Sequence, residues 1–585
     1  MHDNFIERQE KNEKDEAIKY VKNLIENAKK DGQTEDIFQL EEVLRILNTK
    51  KYGLVWEPHT EKVEVEMNKN VPIFIQDFKK RIVTNDKLDN FNFLLEGDNL
   101  HSLYLLEKTH TNSIDMIYID PPYNTGKKDF IYNDKYVDNN DEYSHSKWLS
   151  FLSIRLELAK KLLKDTGFIF ISIDDKEQAQ LKLLCDEIFG EQNFVSTLSV
   201  ENNPKGRKNS SFVSVTHEYC LIYAKSKNKS YFKENVPKES KAMTKDENGV
   251  YVHNSGKRVL VGENKFNSIA DKFDSEKYYS VYYNKDKDSL IFEKEKNKED
   301  INKDLIKSGY KRYISFNGEF LVYNTYTKQK LEDLYKLNKL DFKNEKIYEK
   351  NTSDTIRMKS LLVNKKYKAI IDNEEVVFEL DLKTTSAKQS LAKTIGKDKF
   401  SFPKNVSFIK HLISLIDDKD ITILDFFAGS GTTGEAVQKL NNEDGGKRKY
   451  ILCTNNENQI SEEVTYSRMK NIQQKFPHNL KYFKCDFIEK DKFPDIELEY
   501  ELLNYIAPLI ELEFFVDIDN PKVQIILNYE QLEKIISNDF IDPKSNIFIH
   551  PDIFLDDNQK QRLIDLDISI KEIPNYYFGK EMWNR

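Results

Sequence analysis

Short apolar runs that end in an acid or a glycine, each followed by a longer amphipathic stretch, recur in two separate parts of this chain. In the first part FNFLLEGD (residues 91–98) precedes NLHSLYLLEKTH, and SIDMIYID (113–120) precedes KWLSFLSIRLELAKKLLKDTG. FIFISID (168–174) then precedes AQLKLLCDEIFG, and HEYCLIYAK (217–225) closes the series. The pattern returns near residue 400 as ITILDFF (421–427), a glycine-rich loop, TTGEAVQKL and KYILCT (449–454). A strand that is apolar throughout must be covered on both faces, and strands that alternate with helices join in parallel. An α/β fold with a parallel sheet follows, with one helix predicted to run to Gly167.

Between about 230 and 390 the alternation stops and a Lys-, Asn- and Tyr-rich tract with short apolar runs takes over, which reads as an α+β insertion. Charged helical periodicity marks the first 88 residues, either a dimer contact or a cap on the main domain. The expected organisation is a helical region at 1–88, sheet halves at 89–230 and 391–490, an insertion at 231–390, and an acidic domain for protein contacts at 491–585. A chain of 585 residues accommodates three to five domains.

Four scattered cysteines, with no CxxC, argue against a disulfide framework or a zinc knuckle and fit a reducing cytoplasm. No apolar leader and no run of about 18 apolar residues is visible, so neither a secretory signal nor a membrane span is expected. Ten histidines show no HExxH spacing, and no metal is expected. Net charge is −9, yet residues 201–260 carry twelve Lys and Arg against six Asp and Glu. That surplus suits a polyanion, although on charge alone a solvated loop reads the same way.

The glycine-rich loop follows the strand ending at Asp425: Phe427, Ala428, Gly429, Ser430, Gly431, Thr432 and Thr433. Glycines let backbone approach a ligand, and the helix that follows offers its N-terminus to a negative group. The pattern is neither GxGxxG nor GxxxxGK[ST], which disfavours dinucleotide and Walker-type ATP binding. Glu457, beyond the next strand, is placed for ribose hydroxyls.

The earlier run ends in Asp120, Pro121, Pro122 and Tyr123. A carboxylate at a strand end, prolines that hold the chain extended with their carbonyls free to accept, and an aromatic face suit an exocyclic amine on a planar base. Two acceptors aimed at its hydrogens favour a tetrahedral nitrogen and stabilise charge as it attacks an electrophile.

DPPY with FFAGSGTT resembles the amino-methylating DNA methyltransferases that use S-adenosylmethionine. The order of the motifs resembles their beta class. EGDNL, IYIDPPYNTGKKDFIYND, FSFPK and ILCTNNE are similar to the modification (Mod) subunits of type III restriction-modification systems. The resemblance implies a permuted Rossmann-like methyltransferase sheet whose insertion is a target recognition domain. It implies Asp120–Tyr123 as the catalytic motif and Asp425 to Thr433, Lys404 and Glu457 around the cofactor, with Phe402 and Pro403 beside Lys404. Asp98 or Asp486 would meet the cofactor's adenine; Asp98 is preferred. Asn124, Lys127, Lys128 and Tyr219 would face the target base, which must be flipped out of the duplex, with Phe130 and Tyr132 closing over it. His217 and Glu218 open the same strand as Tyr219. Lys205 and Arg207 would follow the backbone of double-stranded DNA. A homodimer and a separate restriction (Res) subunit are the implied partners. The alternatives are an orphan methyltransferase, cytosine-N4 chemistry, and a non-catalytic DNA-binding specificity subunit.

Overall fold

The computed structural model describes residues 13–30, 40, 43–44, 56–84, 90–126, 130–132, 135–137, 141–206, 212–246, 249–253, 258–493, 495–537 and 541–582. Ten strands form the central sheet: β1 (Asn70–Gln76), β2 (Phe91–Glu96), β3 (Ile114–Ile119), β4 (Leu163–Ile173), β5 (Phe194–Val200), β6 (Glu218–Ala224), β7 (Leu361–Leu362), β8 (Thr422–Asp425), β9 (Lys449–Thr454) and β10 (Asn479–Glu489). Their order across the sheet is β1-β10-β2-β9-β8-β3-β4-β6-β5-β7. The six strands from β10 to β4 run parallel, and β6 pairs antiparallel to β4. The sheet is thus the expected α/β type, and its two sequence halves interleave.

Among the helices that cover the parallel strands are α1 (Asn99–His110), α2 (Ser144–Leu162), α3 (Gln178–Phe189), α4 (Val406–Ile413), α5 (Thr432–Asp444) and α6 (Ser467–Ile472). Alternation splits each strand between two cores. Leu95, Ile117, Ile119 and Ile171 lie in the core with α1–α3, and Met116, Tyr118, Phe170 and Ile222 in the one with α4–α6. At ~1.5–3 kcal/mol for each large apolar side chain buried, these faces supply most of the driving force. The helix expected to reach Gly167 ends at Leu162, because Leu163 already pairs with Ile114.

One expected boundary is corrected, and the C-terminal part shares a core with the sheet. The N-terminal region contributes β1, which pairs along its whole length with β10, so the sheet begins well before residue 89. The acidic C-terminal part is no separate appendage: Leu498, Leu502, Ile506, Leu509 and Tyr577 belong to the core around α1–α3. Its small parallel sheet (Val523–Ile526, Asn546–Ile549, Ser569–Glu572) packs on a further cluster of its own. Its acids are partly neutralised from within, since buried Lys481 on β10 meets Glu511 and Asp517. In the insertion, Leu260, Val281, Leu331 and Ile347 form an independent core, while Leu361–Leu362 returns the chain to the central sheet beside β5. Among the described residues, no helix is long and apolar enough to cross a membrane.

Candidate active site

Strands β3 and β8, some three hundred residues apart in sequence, are hydrogen-bonded neighbours, with Met116 opposite Ile423 and Ile117 opposite Leu424. Asp115 ties their amino ends by accepting from the Thr422 N–H at 2.9 Å. From β8 the chain crosses to β9 on one side, and from β3 to β4 on the other. This reversal opens a crevice at the carboxyl ends of the strands, where α/β sheets hold ligands. The Asp120 tetrapeptide and the glycine-rich loop both emerge there.

Gly429 and Gly431 adopt φ of +46° and +72°, a region costly for other residues. A side chain at Gly431 would also press on Thr465 Cγ2, 3.1 Å from the position of its Cβ. The loop is braced from below. Buried Asp425 accepts from Thr433 Oγ1 at 2.5 Å and from the Phe427 N–H at 3.1 Å. Burial pushes its carboxyl up to about 7, with the Thr433 hydrogen bond acting the other way. Asp425 therefore shapes the loop and does not present itself to a ligand, a correction to its expected place among binding residues. Arg468, which the motifs did not flag, donates to Ser430 O and to Thr432 Oγ1 and pairs with Glu435.

Three acids lie on or just past the neighbouring parallel strands. Asp98 caps α1 by accepting from the Leu100 N–H at 2.7 Å and meets the buried Arg155 guanidinium at 3.2 Å. Glu457 lies exposed just past β9. Asp486 is exposed within β10, opposite Ile73 of the edge strand. Asn99 links α1 to the loop through Phe426 O.

At the tetrapeptide Asp120–Tyr123, Asp120 Oδ1 accepts from the Tyr123 hydroxyl at 2.7 Å and lies 3.2 Å from Lys404 Nζ. The Lys404 ammonium also donates to Tyr123 Oη at 2.6 Å and to Glu218 Oε1 at 2.7 Å, and it sits 5.1 Å from the centre of the Tyr123 ring. Burial raises the Asp120 carboxyl above its ordinary range, although Lys404 opposes the shift. Burial disfavours the Lys404 charge, but Asp120 and Glu218 outweigh it and raise the ammonium's pKa. The Lys404 side chain thus joins Asp120 and Tyr123, and its connection to the glycine-rich loop is its backbone carbonyl, which accepts from Thr432 Oγ1 at 3.3 Å. Phe402, two residues before it, is largely exposed. Trp148 Nε1 donates to Pro122 O at 2.7 Å and fixes the second proline.

Other expected contacts are not brought together. Asn124 is buried with φ of +56°, and its amide donates to Ser144 O and to Glu177 Oε1, so it holds the turn after the motif and does not face a target base. Tyr219 points to the opposite face of β6 from Glu218, with its hydroxyl on Asp175 at 2.9 Å. Phe130 is buried against Phe151 and is not free to close over a nucleotide. Lys205 is exposed in a turn beside Gly206. Lys127, Lys128, Arg207 and the side chain of Tyr132 lie outside the described residues. Of the strand opening named with Tyr219, it is Glu218 that the structure brings to Lys404 and the Asp120 motif. Its signal is an acid at the start of a strand that is otherwise apolar.

A model of the N6/N4 DNA methylase family matches residues 114–465, and the chain belongs to that family. Among curated proteins it is 33% identical over 441 residues to the EcoPI type III restriction-modification enzyme Mod subunit of Escherichia phage P1, across 70% of this chain and 64% of that one. It is 32% identical over 434 residues to the StyLTI Mod subunit of Salmonella typhimurium, across 69% and 59%. To the type II methyltransferase M.KpnI of Klebsiella pneumoniae it is 32% identical over 418 residues, across 67% and 90%. The chain spans less than two thirds of the length of these two Mod subunits.

Proposed function

We propose that this chain is an S-adenosylmethionine-dependent adenine-N6 DNA methyltransferase and the modification subunit of a type III restriction-modification system. The observation that carries the reading is the pairing of β3 with β8, which sets Asp120 beside the glycine-rich loop. The residues suit the cofactor: two glycines at positive φ, with Asp98 and Glu457 at neighbouring strand ends. Gly429 to Thr433 would hold the amino-acid end, Glu457 the ribose and Asp98 the adenine. When bound, S-adenosylmethionine supplies an electrophilic methyl group on a sulfonium.

The protein's own part is electrostatic. Asp120 Oδ1 is engaged by Tyr123 and Lys404, which leaves Oδ2 to accept from the target amine. Pro122 O is taken by Trp148, so Pro121 O is assigned as the second acceptor. Tyr123 offers its ring to the flipped base. Positive charge growing on the amine nitrogen meets the Asp120 carboxylate in a crevice largely shielded from water, where such preorganised groups act most strongly. An acid heading the motif favours adenine over cytosine. Lys205, Arg207, Lys127 and Lys128 are the proposed backbone contacts, and the insertion the proposed reader of the site. A homodimer working with a Res subunit in the cytoplasm is the assembly that the similarity to Mod subunits supports.

Single-molecule sequencing of DNA from cells with and without the gene tests the reading. N6-methyladenine at one strand of a short asymmetric site, lost with the gene, is the expected result; an unchanged methylome would overturn it. Gly431→Ala is expected to add ~1–3 kcal/mol of backbone strain and to weaken S-adenosylmethionine binding at least tenfold by calorimetry. Unchanged affinity would remove this loop from the cofactor site.

A further inference from the structure

We infer that Glu218 is a positioning residue that draws Lys404 partly off Asp120, and so keeps the Asp120 carboxylate a strong acceptor for the target amine. The inference rests on the adenine reading above.

The placement follows from strand alternation. Met116, Tyr118 and Asp120 lie on one face of β3 and its end, and Glu218, Cys220 and Ile222 lie on the same face of β6, in the core with α4–α6. Lys404 reaches this face from the segment leading into α4. Its three N–H bonds can be spent on three oxygens: Glu218 Oε1 at 2.7 Å, Tyr123 Oη at 2.6 Å and Asp120 Oδ1 at 3.2 Å. The longest contact is the one to Asp120. Glu218 Oε2 also lies 3.4 Å from the Tyr123 hydroxyl, so Glu218 touches both groups that touch Oδ1.

An ammonium bound wholly to Asp120 would compete with an incoming amine and lower the carboxylate's basicity. Held by Glu218, it orients Oδ1 and leaves the acceptor most of its strength. The charged and titratable groups facing Asp120 are Tyr123 on its own loop, Tyr118 on β3, Glu218 and Cys220 on β6, Asp425 on β8, and Lys404. Of these, only the Glu218 charge is removed by Glu218→Gln. Two consequences then act together. Lys404 commits to Asp120, and a like charge next to it disappears. Both lower the proton affinity of Asp120.

The experiment compares wild type, E218Q and E218D in the full-length protein. For E218Q, kcat is expected to fall about tenfold at the pH plateau. The acid limb of the kcat profile should move down by about one pH unit, with S-adenosylmethionine affinity within twofold of wild type. E218D, which restores the charge, should return the acid limb toward its original place. A second readout needs no turnover: the Asp120 carboxyl carbon, 13C-labelled and assigned with D120N, should titrate at lower pH in E218Q. An acid limb and an Asp120 titration that both stay put in E218Q overturn the inference, whatever happens to kcat or thermal stability. A wild type that methylates no adenine, in a protein whose Asp120 titration still moves, sinks the adenine reading alone.

Discussion

Asp120→Ala is expected to lower methyl transfer by about 10³-fold or more while S-adenosylmethionine still binds. On the proposed reading, the carboxylate's hydrogen bond to the target amine strengthens as positive charge develops on the nitrogen, so its loss falls mainly on kcat. The fold should survive. Removing Asp120 leaves Lys404 with Glu218 at 2.7 Å and Tyr123 at 2.6 Å, a paired and hydrogen-bonded cation. The glycine-rich loop is braced independently by Asp425, Arg468 and Thr465, which is why cofactor affinity should hold. Asp120→Asn keeps the shape but swaps an acceptor for a donor, and should lose nearly as much. Single-turnover rates beside calorimetry on the same protein check both halves. Transfer within tenfold of wild type would remove Asp120 from the chemistry.

Lys481→Met should destabilise the protein by ~3–5 kcal/mol, the range for breaking a buried ion pair from one side. Lys481 is fully buried between Glu511 and Asp517. Asp517 keeps Arg81, whereas Glu511 keeps only the Ile518 N–H. In the native protein burial already raises the Glu511 carboxyl above its ordinary value, against the pull of Lys481. The folded state then binds more protons than the unfolded one above the ordinary Glu value of about 4.3, so this group's contribution weakens as pH rises through that window. Without Lys481 the carboxyl rises further and the window widens upward. The deficit should therefore be larger at pH 8 than at pH 5, as read by urea unfolding at the two pH values. A loss under 1 kcal/mol, or one that shrinks toward pH 8, would contradict this account of how the C-terminal part is attached.

Much of the sheet and both halves of the candidate site were legible because β3 and β8, which carry them, are short, largely apolar and closed by an acid at or just past their ends. Asp120 and the glycine-rich loop announce themselves in this way. The misplacements share a physical cause. Within β6, Cys220, Leu221, Ile222 and Tyr223 are all buried, so a strand covered on both faces hides its own alternation. Nothing local says that Glu218, and not Tyr219, shares a face with Asp120. Asn124 reads as a polar residue beside a catalytic motif, and only the fold reveals Glu177 waiting behind it. The C-terminal acids read as a repulsive surface because Lys481, which answers two of them, lies on another element. The edge strand β1 sits between charged helical stretches, and its partner β10 is some four hundred residues away.

Methyl transfer by the purified protein decides whether the crevice between Asp120 and the glycine-rich loop acts on adenine. Duplex DNA containing the site found by sequencing, incubated with S-adenosylmethionine carrying a deuterated methyl group, is digested to nucleosides and weighed by mass spectrometry. The label is expected in N6-methyladenine and is absent from the D120A control. Label in N4-methylcytosine, or in no base at all, would contradict the adenine reading.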